Sequence, residues 1–320
     1  MQLQKILRKT SLLIALSLPV IVSSCDKDDD PAPASNTITD LVVADANFST
    51  LEAAVVKANL AATLSGTGPF TVFAPDDAAF TAAGITPAAI ATLTQSQLQP
   101  ILLYHTLGSK VTAADVPAGP NAKVITASGD SVFVTKNASG VYINGVKVTQ
   151  ADINASNGVI HKIGKVLTPP AGNIVETAVA AGLDSLVKAV TRATTAPGGD
   201  PTLAGTLSTA TLTVFAPTNA AFTQLLTALS LTNINDIPVA TLLAVLRYHV
   251  VGGRAFSSDL ANGSLTMLAG GNTTINLTNG TGGGPTIKGN GNGTATSNIT
   301  ATNIVCRNGV VHLIDRVLLP

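Results

Sequence analysis

The sequence predicts an α+β protein built from two like domains, each with helices early and strands late. Three observations predict it. Three sequence blocks recur in the same order, hydrophobic periodicity changes from helical to alternating within each copy, and the 320-residue length suits about two domains once an export segment is set aside. Helices followed by a run of strands imply an antiparallel sheet or sandwich.

The chain opens with Lys5, Arg8 and Lys9 ahead of an apolar run from Leu12 to Val22. Residues 1–24 are read as a cleaved export signal, because the run is about half of the ~20 residues that cross a bilayer. Val22-Ser23-Ser24-Cys25 resembles a bacterial lipobox, although the usual Leu three residues before the cysteine is Val22 here. The resemblance implies a lipid on Cys25 and stable anchoring by two or more acyl chains; secretion without a lipid is the alternative. Residues 25–36, acidic from Asp26 to Asp30 and then proline-rich, read as a solvated tether. The acidic run resembles sorting signals for the outer face of the outer membrane, so an exported, outer-membrane, surface-exposed location is expected. The tether lacks the Gly and terminal Glu of a calcium loop.

Loss of residues 1–24 removes three basic residues, leaving 15 Lys plus Arg (18 less three) against 18 Asp plus Glu. A nearly neutral chain has no electrostatic footprint for nucleic acid. With Cys25 committed to lipid, Cys306 stands alone and no disulfide is expected.

The first domain is read over 37–168, a short, stiff Pro-rich linker over 169–172, and the second domain over 173–320; such a linker predicts a limited range of angles between the domains, with contact at the junction. Thr71 to Phe80 returns as Thr213 to Phe222 with eight of ten positions identical, Tyr104-His105 as Tyr248-His249, and Asn157 to His161 as Asn308 to His312. Phe48, Leu51, Val55 and Ala58 fall at helical spacing after the cap candidate Asn47, and Leu183, Leu186, Val187 and Val190 mark the matching helix. The Thr-Val-Phe-Ala blocks are short buried strands. Asp76 or Asp77, and Thr218 or Asn219, then cap the helices that follow. Gln97 to Leu107 and Val239 to Val251 are apolar helices, the first shortened or kinked by Pro100. Ser131 to Thr135 and Val141 to Gly145 alternate as hairpin strands, as does Thr273 to Leu277. The Asn-Gly blocks read as tight turns with positive φ, and Gly280 to Gly293 as an exposed, flexible hairpin tip available to a partner.

The ordered blocks Thr-Val-Phe-Ala-Pro, Tyr-His and Asn-Gly-Val-Ile/Val-His, each found twice, resemble the fasciclin (FAS1, beta-Ig-H3) family across nearly all of 37–320. The resemblance implies two domains, each a seven-stranded antiparallel β-sandwich or wedge flanked by α-helices. It also implies adhesion or matrix contact, with an extracellular protein or polysaccharide as partner. The pairs Tyr104-His105 and Tyr248-His249 match residues proposed for integrin contact in animal members. The family's Asp-Ile element falls on Asp152-Ile153 in the first copy and on Asn303-Ile304 in the second.

The residues themselves carry no catalytic signature. All four histidines lie in the repeated blocks without a nucleophile elbow, zinc helix or phosphate loop beside them, so no enzyme activity, cofactor or metal is expected. Each ring also fits a packed position that bonds backbone, and each tyrosine a core position with its hydroxyl satisfied. The absence of Trp leaves no obvious sugar-stacking platform. Asp130-Ser131-Val132 and Asp184-Ser185-Leu186 resemble O-glycosylation acceptors. The expectation is a lipid-anchored adhesion module, with a spacer or scaffold lipoprotein of the envelope as the alternative.

Overall fold

The structure, a computed structural model, describes residues 36–320. The export signal, Cys25 and the tether up to residue 35 lie outside the described residues. Among these the chain forms two seven-stranded sheets with eleven α-helices and short 3-10 turns.

The first domain opens with α1 (Ile38–Ala44), α2 (Ser49–Lys57) and α3 (Ala61–Leu64), followed by β1 (Phe70–Pro75). Helices α4 (Asp77–Ala82), α5 (Pro87–Thr92) and α6 (Gln95–Tyr104) lead to β2 (Thr106–Leu107). Strands β3 (Gly119–Ile125), β4 (Ser131–Asn137), β5 (Gly140–Ile143), β6 (Val146–Ala155) and β7 (Gly158–Ile163) complete it. The second domain repeats the plan with α7 (Ile174–Ala180), α8 (Asp184–Thr195), α9 (Thr202–Thr209), β8 (Leu212–Pro217), α10 (Asn219–Ala228), α11 (Val239–Arg247) and β9 (Val250–Gly252). It ends in β10 (Gly263–Thr266), β11 (Asn272–Asn276), β12 (Thr286–Gly289), β13 (Ser297–Cys306) and β14 (Gly309–Ile314).

The sheets run β2-β1-β7-β6-β5-β4-β3 and β10-β11-β12-β13-β14-β8-β9. They are mixed, which corrects the antiparallel expectation: β1 pairs β7 in parallel, and β8 pairs β14 in parallel. The last strand of each domain inserts between the first strand and the strand before it, entered from the latter through the Asn-Gly turn, and so runs in the same direction as the first.

Alternation along β1 builds two cores. Val72 and Ala74 face the helices with Leu51, Val55 and Leu102, whereas Phe73 faces Tyr104, Val132, Val134 and Ile143. The sheet thus bends so that β4 and β5 cover the face of β1 opposite the helices. Val214 and Ala216 against Phe215 divide the second domain in the same way.

The caps differ from the sequence reading in an instructive way. Asp76 and Thr218 cap α4 and α10 as expected. Asn47 does not cap α2; the carboxylate of Asp77 accepts the Thr50 N–H at 2.8 Å, and Asn219 accepts the Ser185 N–H at 2.9 Å. One residue of each Thr-Val-Phe-Ala-Pro block therefore closes the start of a neighbouring helix, satisfying donors that a helix cannot satisfy itself. Pro100 lies inside α6 without ending it. It is exposed, as is Ser96, whose carbonyl loses its intrahelical donor and faces water.

The Asn-Gly turns do not use positive φ, since neither residue is among the left-handed positions. Glycine is required instead by close approach: a Cβ on Gly158 would lie 2.2 Å from the Phe70 carbonyl oxygen, and one on Gly309 2.0 Å from that of Leu212. The asparagines are fasteners. Asn157 accepts the Ile38 N–H at 2.9 Å and donates to the carbonyls of Leu64 and Gly66 at 2.8 Å each. Asn308 accepts from Ile174 at 2.9 Å and donates to Leu207 at 2.9 Å and Ala210 at 2.8 Å.

The Gly-rich stretch is not a loose tip throughout. It contains β12, where Ile287 is fully buried and pairs with Ile275. Asn292 fixes the C-terminal segment through Val317 and Leu319, each at 2.9 Å. Thr281 to Gly283, Asn290, Gly291 and Gly293 are the exposed residues of the stretch.

Candidate functional site

Both Tyr-His pairs sit where the last helix before the sheet ends, and both are withdrawn from solvent: Tyr104 and His105 are 0 % and 3 % exposed, Tyr248 and His249 2 % each. Tyr104 donates its hydroxyl to the Ser131 carbonyl at 3.1 Å and accepts from Asn144 Nδ2 at 2.9 Å. Burial, partly offset by the Asn144 donor, pushes that hydroxyl up to about 12. Tyr248 donates to the Asn272 carbonyl and accepts the Asn290 N–H.

Each histidine reaches back one turn to a carbonyl that the helix end leaves unpaired. His105 Nδ1 bonds the Ile101 carbonyl at 2.8 Å, and its Nε2 accepts the Leu167 N–H at 2.9 Å. His249 does the same with Val245 at 2.7 Å and Leu318 at 2.9 Å. A nitrogen that accepts an N–H carries a lone pair, so each ring is neutral with its proton on Nδ1. Burial, opposed only by the backbone bond, lowers both groups to about 4.

His161 accepts the Asp152 N–H at 3.3 Å and bonds the Val111 carbonyl at 2.8 Å through Nε2. His312 bonds the Ala255 carbonyl at 2.9 Å, but its buried Nδ1 has no partner, and burial lowers its pKa. Each ring stacks on the phenylalanine of the neighbouring parallel strand, Phe73 or Phe215.

Asp152 and Asn303 occupy irregular positions in β6 and β13, with φ of 59° and 65°. Asp and Asn tolerate that left-handed conformation. Their side-chain oxygens accept the N–H of Ala113 and Ser257 at 2.9 Å and 2.8 Å. Position and acceptor are what the fold requires; the charge on Asp152 is additional.

The two domains meet in a seam whose ring contacts come from residues that the repeat does not share. Arg254 lies 4.0 Å from the centre of the Phe133 ring, which also meets Phe256 at 6.1 Å. Asn121 donates to the Arg254 carbonyl at 2.6 Å, Thr135 to Asp259 at 3.1 Å and Asn137 to the Ser258 carbonyl at 3.2 Å. Arg254 itself donates to the carbonyls of Cys306, Arg307 and Gly309. In the matching hydrogen-bond registers, Thr274 stands for Phe133, Thr112 for Phe256 and Lys110 for Arg254.

The fasciclin domain model matches residues 46–169 and 185–320. The chain belongs to the fasciclin domain family. The Synechocystis protein sll1483 is 40 % identical over 136 residues, spanning 42 % of this chain and 74 % of that protein. Transforming growth factor-beta-induced protein ig-h3 of Sus scrofa is 36 % identical over 139 residues, 43 % of this chain and 20 % of that protein. Human periostin is 28 % identical over 144 residues, covering 44 % and 17 %. A solved FAS1 domain pair from the insect cell adhesion molecule fasciclin I aligns over 88 % of this chain and 96 % of that one, at 16 % identity and a TM-score of 0.38.

Fasciclin domains occur in cell-adhesion proteins and are non-enzymatic adhesion domains. Among the described residues no group of three or more His, Cys, Asp or Glu is placed to hold a metal ion, and no helix is long and apolar enough to cross a membrane. The fasciclin hallmarks of this chain are internal fastenings, so exposed contact chemistry lies elsewhere. The stiff linker led the sequence reading to expect contact at the junction, and the domains do touch, but that reading did not name the residues of the seam. An aromatic present as Phe133 in one copy and replaced by Thr274 in the other is the signal that could have found them.

Proposed function

We propose that this protein is an exported, lipid-anchored fasciclin-domain adhesin, held to the outer membrane through Cys25 and displayed at the cell surface. Its docked domain pair contacts an extracellular protein or polysaccharide. The observation that carries this reading is the commitment of the repeated polar residues to internal bonds. The domains are thereby stable, catalytically unequipped platforms whose outer surfaces remain to bind. The basic, apolar and lipobox-like segments ahead of the tether support export and anchoring. The Arg254–Phe133 seam also favours a second reading, a stiff envelope spacer, because it restrains the angle between the domains.

Attachment of cells carrying the protein should exceed that of a deletion strain on matrix-coated or polysaccharide-coated surfaces. Protease added to intact cells should remove the domains. Equal attachment across several surfaces, with the domains protected from protease, refutes the adhesin and leaves the spacer. Metabolic labelling with a tagged fatty acid should mark the wild-type chain and not Cys25→Ser.

A further inference from the structure

The seam carries a cleft of about 300 Å³, lined by the β5–β6 turn and exit segment of the first domain, the linker, and α7 and β13 of the second. That volume is at the lower end of the range for ligand pockets, and domain junctions are a preferred place for them. Neither domain forms the cleft alone.

Its polar groups divide into two sets. Asn144 is spent: its Oδ1 accepts the Phe133 N–H and its Nδ2 bonds Tyr104. Asn303 is spent on the backbone and hydroxyl of Ser257. Lys165 is the only charged residue in the lining. It is exposed, and it belongs to neither of the ion pairs found among the described residues. The hydroxyl of Thr177, in a residue 6 % exposed, is buried against the Cys306 thiol. Val166 and Ile304 supply apolar wall.

No carboxylate lines the cleft. Glu176, next to Thr177 in the chain, turns its carboxylate to the Asn173 N–H at 2.8 Å. At 303 the second domain has an amide where the first has Asp152. The cleft is therefore a one-cation site with an apolar wall.

We propose that this cleft binds a small organic carboxylate with an apolar body, its charge on Lys165 and its body against Val166 and Ile304. Such a ligand contacts both domains at once, so binding also tightens the seam. The site goes beyond the adhesive reading and stands or falls separately from it.

The test is calorimetric titration of the full mature chain with 2-naphthoate, and with 2-naphthamide as the neutral isostere. Naphthoate should bind saturably and at least ten-fold more tightly than the amide. Lys165→Gln should weaken naphthoate at least ten-fold without changing the thermal midpoint of the ligand-free protein. Asn303→Asp should weaken it similarly by placing a like charge in the cleft; it should fold, because Asp152 serves the same backbone role in the first domain. Absence of saturable binding, equal affinity for the amide, or an unaltered Lys165→Gln titration overturns the proposal. Cells carrying Lys165→Gln should still attach, which keeps failure of this site distinct from failure of adhesion.

Discussion

Acidification should unfold this protein in a window set by His105 and His249. Each is a buried neutral ring lowered to about 4, against about 6.5 in an unfolded chain. Between those values the unfolded state binds more protons, so stability rises with pH. The stabilisation is complete above about 6.5 and is lost progressively as pH falls to about 4. At roughly 1.4 kcal/mol per pH unit, a gap of about 2.5 units corresponds to about 3 kcal/mol per histidine. The structural reason is specific: protonated Nε2 would point an N–H at the N–H of Leu167 or Leu318. His312 is lowered as well, so the second domain should fail first. Carboxylates held low by hydrogen bonds, such as Asp115 with Thr112, lose their contribution only at lower pH. Urea unfolding at several pH values between 4.5 and 7, followed by domain-resolved NMR, measures the slope. His105 or His249 imidazole signals that titrate near 6.5 in the folded protein, or stability flat across the window, refute the reasoning.

Two further outcomes follow from the fastenings. Asn308→Ala removes three hydrogen bonds and leaves buried backbone groups unpaired, a loss of about 3–5 kcal/mol at typical values, and Asn157→Ala should do the same to the first domain; urea denaturation reads both. Phe133→Thr imports the residue that the second copy tolerates in the same register. It should leave each domain folded while removing about 1–2 kcal/mol of cation–π and ring contact from the seam, seen as two separate thermal transitions and a broader distance distribution in solution scattering.

Much of the fold was legible because it rests on local signals. Capping residues, the period change after His105 and the buried Thr-Val-Phe-Ala blocks each announce an element in a few consecutive residues. Which strands become neighbours is not local. The parallel pairing of β1 with β7 depends on the final Asn-Gly block passing under the Phe70 carbonyl, a contact between residues far apart in sequence. The Gly-rich stretch misled for a related reason: Thr286 to Gly289 is only four residues long and flanked by glycine-rich turns, yet it is held between β11 and β13 with Ile287 in the core. For the candidate site, Tyr104, His105, Tyr248 and His249 were visible as a pattern, but repetition alone does not distinguish a contact residue from a fastening. Exposure and partners decide that.

The comparison of the two copies supplies the distinction. Where they agree, as at Thr71 and Thr213, Asn157 and Asn308, and the four histidines, the side chain bonds its own domain. Where they differ in charge or size, at Phe133, Arg254, Phe256 and Asn303, the residue lies on or beside the seam. Asn303 is the sharpest case. Its amide keeps the backbone duty of Asp152 and lies against Gly145 of the other domain, where a Cβ would come within 2.5 Å of its Nδ2. A carboxylate there would set a negative charge at a half-buried junction and draw on the Lys165 ammonium, the one cation lining the cleft. Asparagine removes that charge and leaves Lys165 free. The second copy thus lacks the charge of the Asp-Ile element at the position where the two domains meet.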